Sequence, residues 1–192
     1  MPDNFVVPDK LLTTPIDGAL FRQTMSRYAS GVTIVTTMDE DGTPWGLTAN
    51  AVSSVSLHPP LVLVCIDKKA NTYEVMTKAS FFAINVLNRR QDELSLLFAT
   101  RGADKFAAVP YQVGATGVPL LPDVSIAVIE CRMFAQYPGG DHTIIVGEVV
   151  AASVSEGQPL LFYDRTFGTF AANPPRPSIP PTEPDPWALD YF

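Results

Sequence analysis

The sequence is organised around apolar runs that are short for helices and rich in β-branched residues. VTIVTTM (32–38), LVLVCI (61–66), FFAINVL (81–87), SIAVIECRMFAQY (125–137) and TIIVGEVVAASV (143–154) carry Val, Ile, Thr and aromatic side chains, which suit a pleated, half-buried surface. Turn residues stand between them: DEDG at 39–42, HisProPro at 58–60 and GGDH at 139–142. The spacing predicts VTIVTTM paired in a hairpin with a strand through PWGLTANAV (44–52). It predicts a second, longer hairpin from 125–137 and 143–154, joined by a PGGDH loop. LVLVCI is apolar on both faces and reads as a central strand. SSVS (53–56) reads as a short strand or bulge, and LLFY (160–163) as one further strand.

Helical signals are fewer. Asp17 is placed to cap a helix over 17–29, with Phe21, Met25 and Ala29 on one face and Gly31 as a left-handed stop. Asn71 is placed to cap a helix over 72–79, and Glu74 completes a capping-box pattern. QDELSLLFA (91–99) brings Leu94, Leu97 and Phe98 together at helical spacing. Many short strands with two or three helices predict a mainly β fold, an antiparallel barrel with peripheral helices. The chain divides into an N-terminal arm (1–16), one domain (17–172) and a C-terminal tail (173–192). The tail holds seven of the 18 prolines, so it reads as an extended arm. Trp187, Leu189, Tyr191 and Phe192 end it as apolar anchors, suited to a groove or a neighbouring subunit.

Composition narrows the function. With 46% apolar residues over 192 positions, the chain suits one core-forming domain. A net charge of −7 argues against nucleic acid as a partner. No run reaches the ~18 apolar residues of a membrane span, and the N-terminus lacks a signal-peptide pattern. A soluble, cytoplasmic protein is expected. Cys65 and Cys131 lie within apolar runs without a CxxC or Cys/His cluster, so no zinc site is expected. They read as buried free thiols in a reducing compartment.

Familiar catalytic patterns are missing. There is no GxGxxG after a strand, no GxxxxGK[ST] and no GxSxG. That suits chemistry done by a bound organic cofactor, with the protein supplying binding and orientation. Three segments can serve it. GLTANAVSSVS (46–56) offers a bank of small donors and acceptors. CIDKKANT (65–72) puts two lysines beside a helix start, where an anion is favoured. FATRGADKFAAV (98–109) gathers Phe98, Arg101, Lys105 and Phe106. Read singly, each also fits a plainer role: a Ser/Thr edge strand, a strand-to-helix turn with solvated lysines, a surface helix end over core phenylalanines.

Taken in order, FRQTMSRYASGVTIVTT, GLTANAVSSVSLHPPLVLVCIDK, FFAINVL, LSLLFATRGADKF, GVPLLPDVSIAVIEC and GGDHTIIVGEV resemble the flavin reductase family, the reductase components of two-component flavin-dependent monooxygenases. The likeness spans about 21–170. It implies an FMN-binding split β-barrel, Greek-key-like and antiparallel, assembled as a homodimer with flavin near the interface. It implies that NADH or NADPH reduces FMN or FAD, which then serves a flavin-dependent oxygenase.

Carried onto matching positions, Thr48, Ala49 and Asn50 would contact the isoalloxazine edge, with Ser53 and Ser54 extending that wall. Cys65, Asp67 and Lys68 would follow the ribityl chain and phosphate. Phe98, Lys105 and Phe106 would close the phosphate or adenylate side. His142 would orient the nicotinamide over the flavin, with Gly139 and Gly140 making the turn and Asp141 fixing the loop or the histidine tautomer. Phe167 in RTFGTF stands where relatives often have a hydroxylated aromatic, which removes one hydrogen bond to the nicotinamide cofactor. His58 reads as a turn residue. Two other readings stay open: a flavoprotein that keeps its FMN for electron transfer, and a non-catalytic split barrel that binds flavin or haem.

Overall fold

A computed structural model of the chain describes residues 16–102 and 104–173. The N-terminal arm and the Pro-rich tail predicted from the sequence lie, but for their innermost residues, outside this range.

The largest element among the described residues is one seven-stranded antiparallel sheet. Its strands are β2 (Thr33–Met38), β3 (Pro44–Ala49), β4 (Val52–Leu57), β5 (Pro60–Asp67), β6 (Phe81–Leu87), β9 (Ser125–Gly139) and β10 (His142–Val154). The spatial order is β3-β2-β6-β9-β10-β5-β4. The two outermost strands are therefore consecutive in the chain, separated only by Asn50 and Ala51. The three steps from Ala49 to Val52 reach at most about 11 Å, so the sheet must curl until these two strands come close. The Cys65 N–H donates to the Ala51 carbonyl at 3.0 Å, which carries the β4–β5 ladder into this link. The predicted strand 44–52 is thus two elements: it breaks at Asn50, where the chain leaves β2 and joins β5.

A small sheet, β1-β11-β12, flanks this body, built from Ser30–Gly31, Leu160–Tyr163 and Thr166–Thr169. A two-stranded piece pairs β7 (Gln112–Val113) with β8 (Pro119–Leu120). Inside the curled sheet, Val35, Val64, Ile66, Phe82, Ile84, Cys131 and Ile145 form one core around Met76. A second core lies between the sheet and helix α3 (Asp92–Ala99) and holds Val32, Ile34, Leu87, Phe98, Leu121 and Leu160.

Several local expectations need correction. Helix α1 spans only Gly18–Met25, and Gly31 is a strand residue rather than a left-handed stop. The chain turns early because the Ser26 carbonyl accepts from Asp164 N–H at 2.9 Å, which starts its descent into β1. Helix α2 (Tyr73–Lys78) starts at Thr72 without a side-chain cap. The Asn71–Glu74 capping box is not formed, and the Thr72 hydroxyl donates instead to the Gly46 carbonyl at 3.2 Å. LVLVCI lies one strand in from the edge and is only half-buried along most of its length. Of the two thiols, Cys131 is buried and Cys65 is partly exposed.

Candidate functional site

The seam of the curled sheet carries the first set of predicted residues. Strand alternation divides them. Ala49 turns into the core and is 8% exposed, and its carbonyl accepts from the Thr33 hydroxyl at 2.7 Å. Thr48 faces α3, where its hydroxyl donates to the Ser95 carbonyl at 2.6 Å. Asn50 lies exposed at the strand break, and Ser53 and Ser54 are exposed on β4. Burial raises the pKa of Cys65, so it rests as a thiol. Along the seam Asn50, Ser53 and Ser54 are exposed and Cys65 is partly exposed, with Ser53 and Ser54 on opposite faces of β4.

A second set meets where β5 ends. Register pairs Asp67 with His142, and His142 with Gly139. The strands run to the tip, so only Gly140 and Asp141 form the turn, shorter than the PGGDH loop predicted. Gly140 takes φ +71° while Asp141 keeps a negative φ, the pattern of a two-residue hairpin with glycine first. His142 Nδ1 meets Asp141 Oδ1 at 2.7 Å, and the hydrogen bond to His142 holds the Asp141 carboxyl below its ordinary pKa. With Nδ1 engaged, Nε2 is the ring nitrogen left for a ligand. The Lys68 ammonium donates to the Gly140 carbonyl, and the Lys68 peptide N–H to the Asp141 carbonyl at 3.0 Å.

The third set borders a cavity of about 510 Å³ lined by Trp45, Gly46, Asn71, Thr72, Lys105 and Phe106, among others. Lys105 Nζ donates to the carbonyls of Gly46 at 3.0 Å and Phe98 at 2.7 Å. It has no carboxylate partner among the described residues, and burial lowers its pKa. Phe106 is fixed edge-on between Phe98, at 5.2 Å between ring centroids, and Tyr111, at 5.4 Å. Phe98 itself is 1% exposed and belongs to the second core. Phe167 packs on the same core, 5.4 Å from Phe162.

Trp45, Gly46, Asn71 and Thr72 were not singled out from the sequence as site residues. The available signal was Gly46, a glycine inside a strand, which marks a close approach of another segment. Here both Thr72 and Lys105 converge on its carbonyl. Trp45 is held by its indole N–H, which donates to Asp39 at 2.9 Å.

The donor set suits a flavin nucleotide. Small neutral donors lie at the seam, and an ammonium with no carboxylate partner among the described residues borders the cavity. Strand β3 links the two, with Ala49 and Trp45 about 13 Å apart at strand rise. No group of three His, Cys, Asp or Glu side chains among the described residues is placed to hold a metal. No described helix is long and apolar enough to cross a membrane.

Several known proteins are similar to this chain. The reductase component of 4-nitrophenol 4-monooxygenase/4-nitrocatechol 2-monooxygenase from Rhodococcus opacus is 44% identical, over 81% of this chain and 83% of its own. The FMN reductase (NADH) SmoA of Agrobacterium fabrum is 42% identical, over 79% and 85%. The solved structure of the Streptomyces globisporus C-1027 NADH:FAD oxidoreductase SgcE6, in complex with NAD and FAD fragments, superposes with a TM-score of 0.76. It is 37% identical and covers 81% of this chain and 93% of that one. The family model described as flavin reductase like domain matches residues 25–171, which takes in all three sets of site residues and places this chain in that family.

Proposed function

We propose that this protein is an NAD(P)H:flavin oxidoreductase that passes a hydride from nicotinamide to FMN or FAD and supplies the reduced flavin to a partner monooxygenase. The observation that carries the reading is His142: a partly exposed imidazole, tied through Nδ1 to Asp141, at the end of β5 and β10 in a flavin reductase like domain.

The proposed roles follow from placement. Asn50, Ser53 and Ser54 hold the polar edge of the ring system, while the Ala49 and Thr48 backbone forms its floor. Asp67 and Cys65 border the path between ring and phosphate. Lys105 meets phosphate charge, and Phe106 and Trp45 offer ring faces to the far end of the ligand. Phe98 and Phe167 act from behind, by packing. When bound, the nicotinamide supplies the hydride and the flavin accepts it. The protein's share is to hold the two rings at near-attack distance, roughly 3–3.5 Å. His142 Nε2 is the group that orients the nicotinamide. No side chain has to remove a proton for this.

The same reading includes a homodimer. Helix α1 buries none of its side chains, and Leu20, Phe21 and Met25 are each about half exposed. An isolated eight-residue helix is unstable in water, so this face needs a cover, and a second copy is proposed. Sedimentation of the purified protein tests it: a monomer at working concentration would refute the dimer.

The reaction is tested by anaerobic stopped-flow mixing of protein with FMN or FAD and NADH or NADPH. Loss of both absorbance bands, with many flavins reduced per protein, is the expected result. Reduction of a single retained flavin would instead make this an electron-transfer flavoprotein. No reduction with any pair would leave a flavin- or haem-binding barrel.

A further inference from the structure

The resemblance places Lys68 on the flavin phosphate, but the geometry gives it a different partner. We infer that Lys68 is a positioning residue for the nicotinamide side. It clips the Gly140–Asp141 tip to the corner after β5, and through Asp141 it fixes the His142 imidazole. The inference rests on the proposed role of His142.

Two bonds make the clip. The Lys68 peptide N–H donates to the Asp141 carbonyl at 3.0 Å, and its ammonium donates to the carbonyl of Gly140. A glycine at the first position of a two-residue turn has a peptide free to rotate, since no Cβ restricts it. Nothing else is bonded to the Gly140 carbonyl among the described hydrogen bonds of the turn. The corner is itself rigid: Asp67 Oδ1 accepts from the Lys69 N–H at 2.8 Å, and the Asp67 carbonyl accepts from the Ala70 N–H at 2.9 Å. The ammonium therefore joins a fixed corner to a turn carbonyl that no other described hydrogen bond holds. The next side chain along is Asp141, whose carboxylate sits 2.7 Å from His142 Nδ1. A tip that swings carries Asp141 with it and frees the imidazole to turn.

Lys105 provides the contrast. It borders the cavity and has no carboxylate partner among the described residues, so phosphate charge has a cation without recruiting Lys68. Lys69 is a neighbour that acts on Asp141 only through its charge.

The test compares Lys68→Met, Lys68→Arg and His142→Ala in steady-state and flavin-binding assays. Lys68→Met is expected to raise KM for NADH or NADPH about three- to tenfold, the worth of one ordinary net hydrogen bond, since solvent exposure weakens the charge assistance. The flavin dissociation constant should hold, and Lys68→Arg should restore most of the loss. In the His142→Ala background, Lys68→Met should add nothing. A weaker flavin constant with an unchanged nicotinamide KM would overturn the inference and make Lys68 a phosphate ligand. Additive losses in the double variant would overturn it as well, because Lys68 would then act without His142. If His142→Ala alone has wild-type nicotinamide kinetics, it is the underlying role of His142 that fails, and the clip fails with it.

Discussion

Gly46 is where fold and site meet, and Gly46→Ala isolates that junction. A Cβ at this position would stand 2.7 Å from Cε1 and 3.0 Å from Cδ1 of Phe98, and 3.3 Å from Cζ of Phe106. Phe98 is 1% exposed, so its ring has nowhere to swing. Strand β3 is equally constrained: Gly46 is paired with Thr36, and its carbonyl accepts from Thr72 and Lys105. Overpacking of this kind costs about 1–3 kcal/mol. Replacing glycine also restricts the unfolded chain, which returns about 0.4–1 kcal/mol. The net expectation is a loss of about 1–2 kcal/mol, which for a domain of this size lowers Tm by roughly 2–8 °C. Urea unfolding and thermal melts of the same preparation measure it. A Phe98→Leu change supplies the check, since it removes ring atoms that the new methyl would strike. The two substitutions should couple by at least about 0.5 kcal/mol, with the double variant more stable than the sum of the singles predicts. Wild-type stability for Gly46→Ala, or strict additivity in the cycle, would refute the packing argument.

Three further outcomes are expected. Lys105→Met should weaken FMN and FAD about ten- to a hundredfold, as for loss of a hydrogen bond to a charged group, and leave riboflavin, which lacks phosphate, unaffected; an equal loss for riboflavin would reduce Lys105 to a brace for β3. His142→Ala should slow flavin reduction at limiting NADH without changing flavin affinity, read by stopped-flow and by flavin fluorescence titration. Glu130 should contribute stability that acid removes. Its carboxylate is buried, which by itself pushes the pKa up. That is outweighed by its bonds from the Thr116 hydroxyl at 2.6 Å, the Thr116 N–H at 2.9 Å and the Ala115 N–H at 3.3 Å, so the net shift is down. With the folded value depressed, the contribution is full above the unfolded value of 4.5 and lost as pH falls through the folded one. Glu130→Gln should therefore flatten the acid limb of a urea-midpoint against pH plot, and an unchanged limb would place the acid sensitivity elsewhere.

Period and composition carried much of the architecture. FFAINVL became β6 at its own boundaries, because a buried run between turn residues has few other uses. The long hairpin was legible for the same reason. What local pattern could not supply was long-range pairing. Nothing in PWGLTANAV marks Asn50 as the point where the chain leaves one strand partner for another. That break exists because β4 must pair with β5 to complete the sheet. The strand at Thr166–Thr169 escaped notice because TFGT carries little apolar signal, and it forms by pairing with β11. The capping box at Asn71 is not formed because the helix starts one residue later, after Thr72, whose hydroxyl bonds a carbonyl on β3 rather than capping.

The site was legible to different depths, and the difference follows from where each constraint acts. The Asp141–His142 contact joins neighbours in sequence at a glycine turn, so short-range chemistry exposes it. The cavity is assembled from β3, the start of α2 and the loop after α3, segments up to about 60 positions apart, joined at one carbonyl. No local pattern reports such a convergence; only the glycine that permits it leaves a trace. Lys68 lies between these cases. Its charge and its place beside a helix start suggest phosphate, and the sequence holds nothing against that reading. The register of β5 against β10 brings Lys68 to the hairpin tip, by setting Asp67 opposite His142 and so delivering the next residue to the turn. A shift of β5 by one residue in that register would turn Val64 and Ile66 out of the core. The packing that fixes the curled sheet therefore also fixes which cation meets the hairpin tip, and the orientation of His142 is a consequence of core burial several residues away.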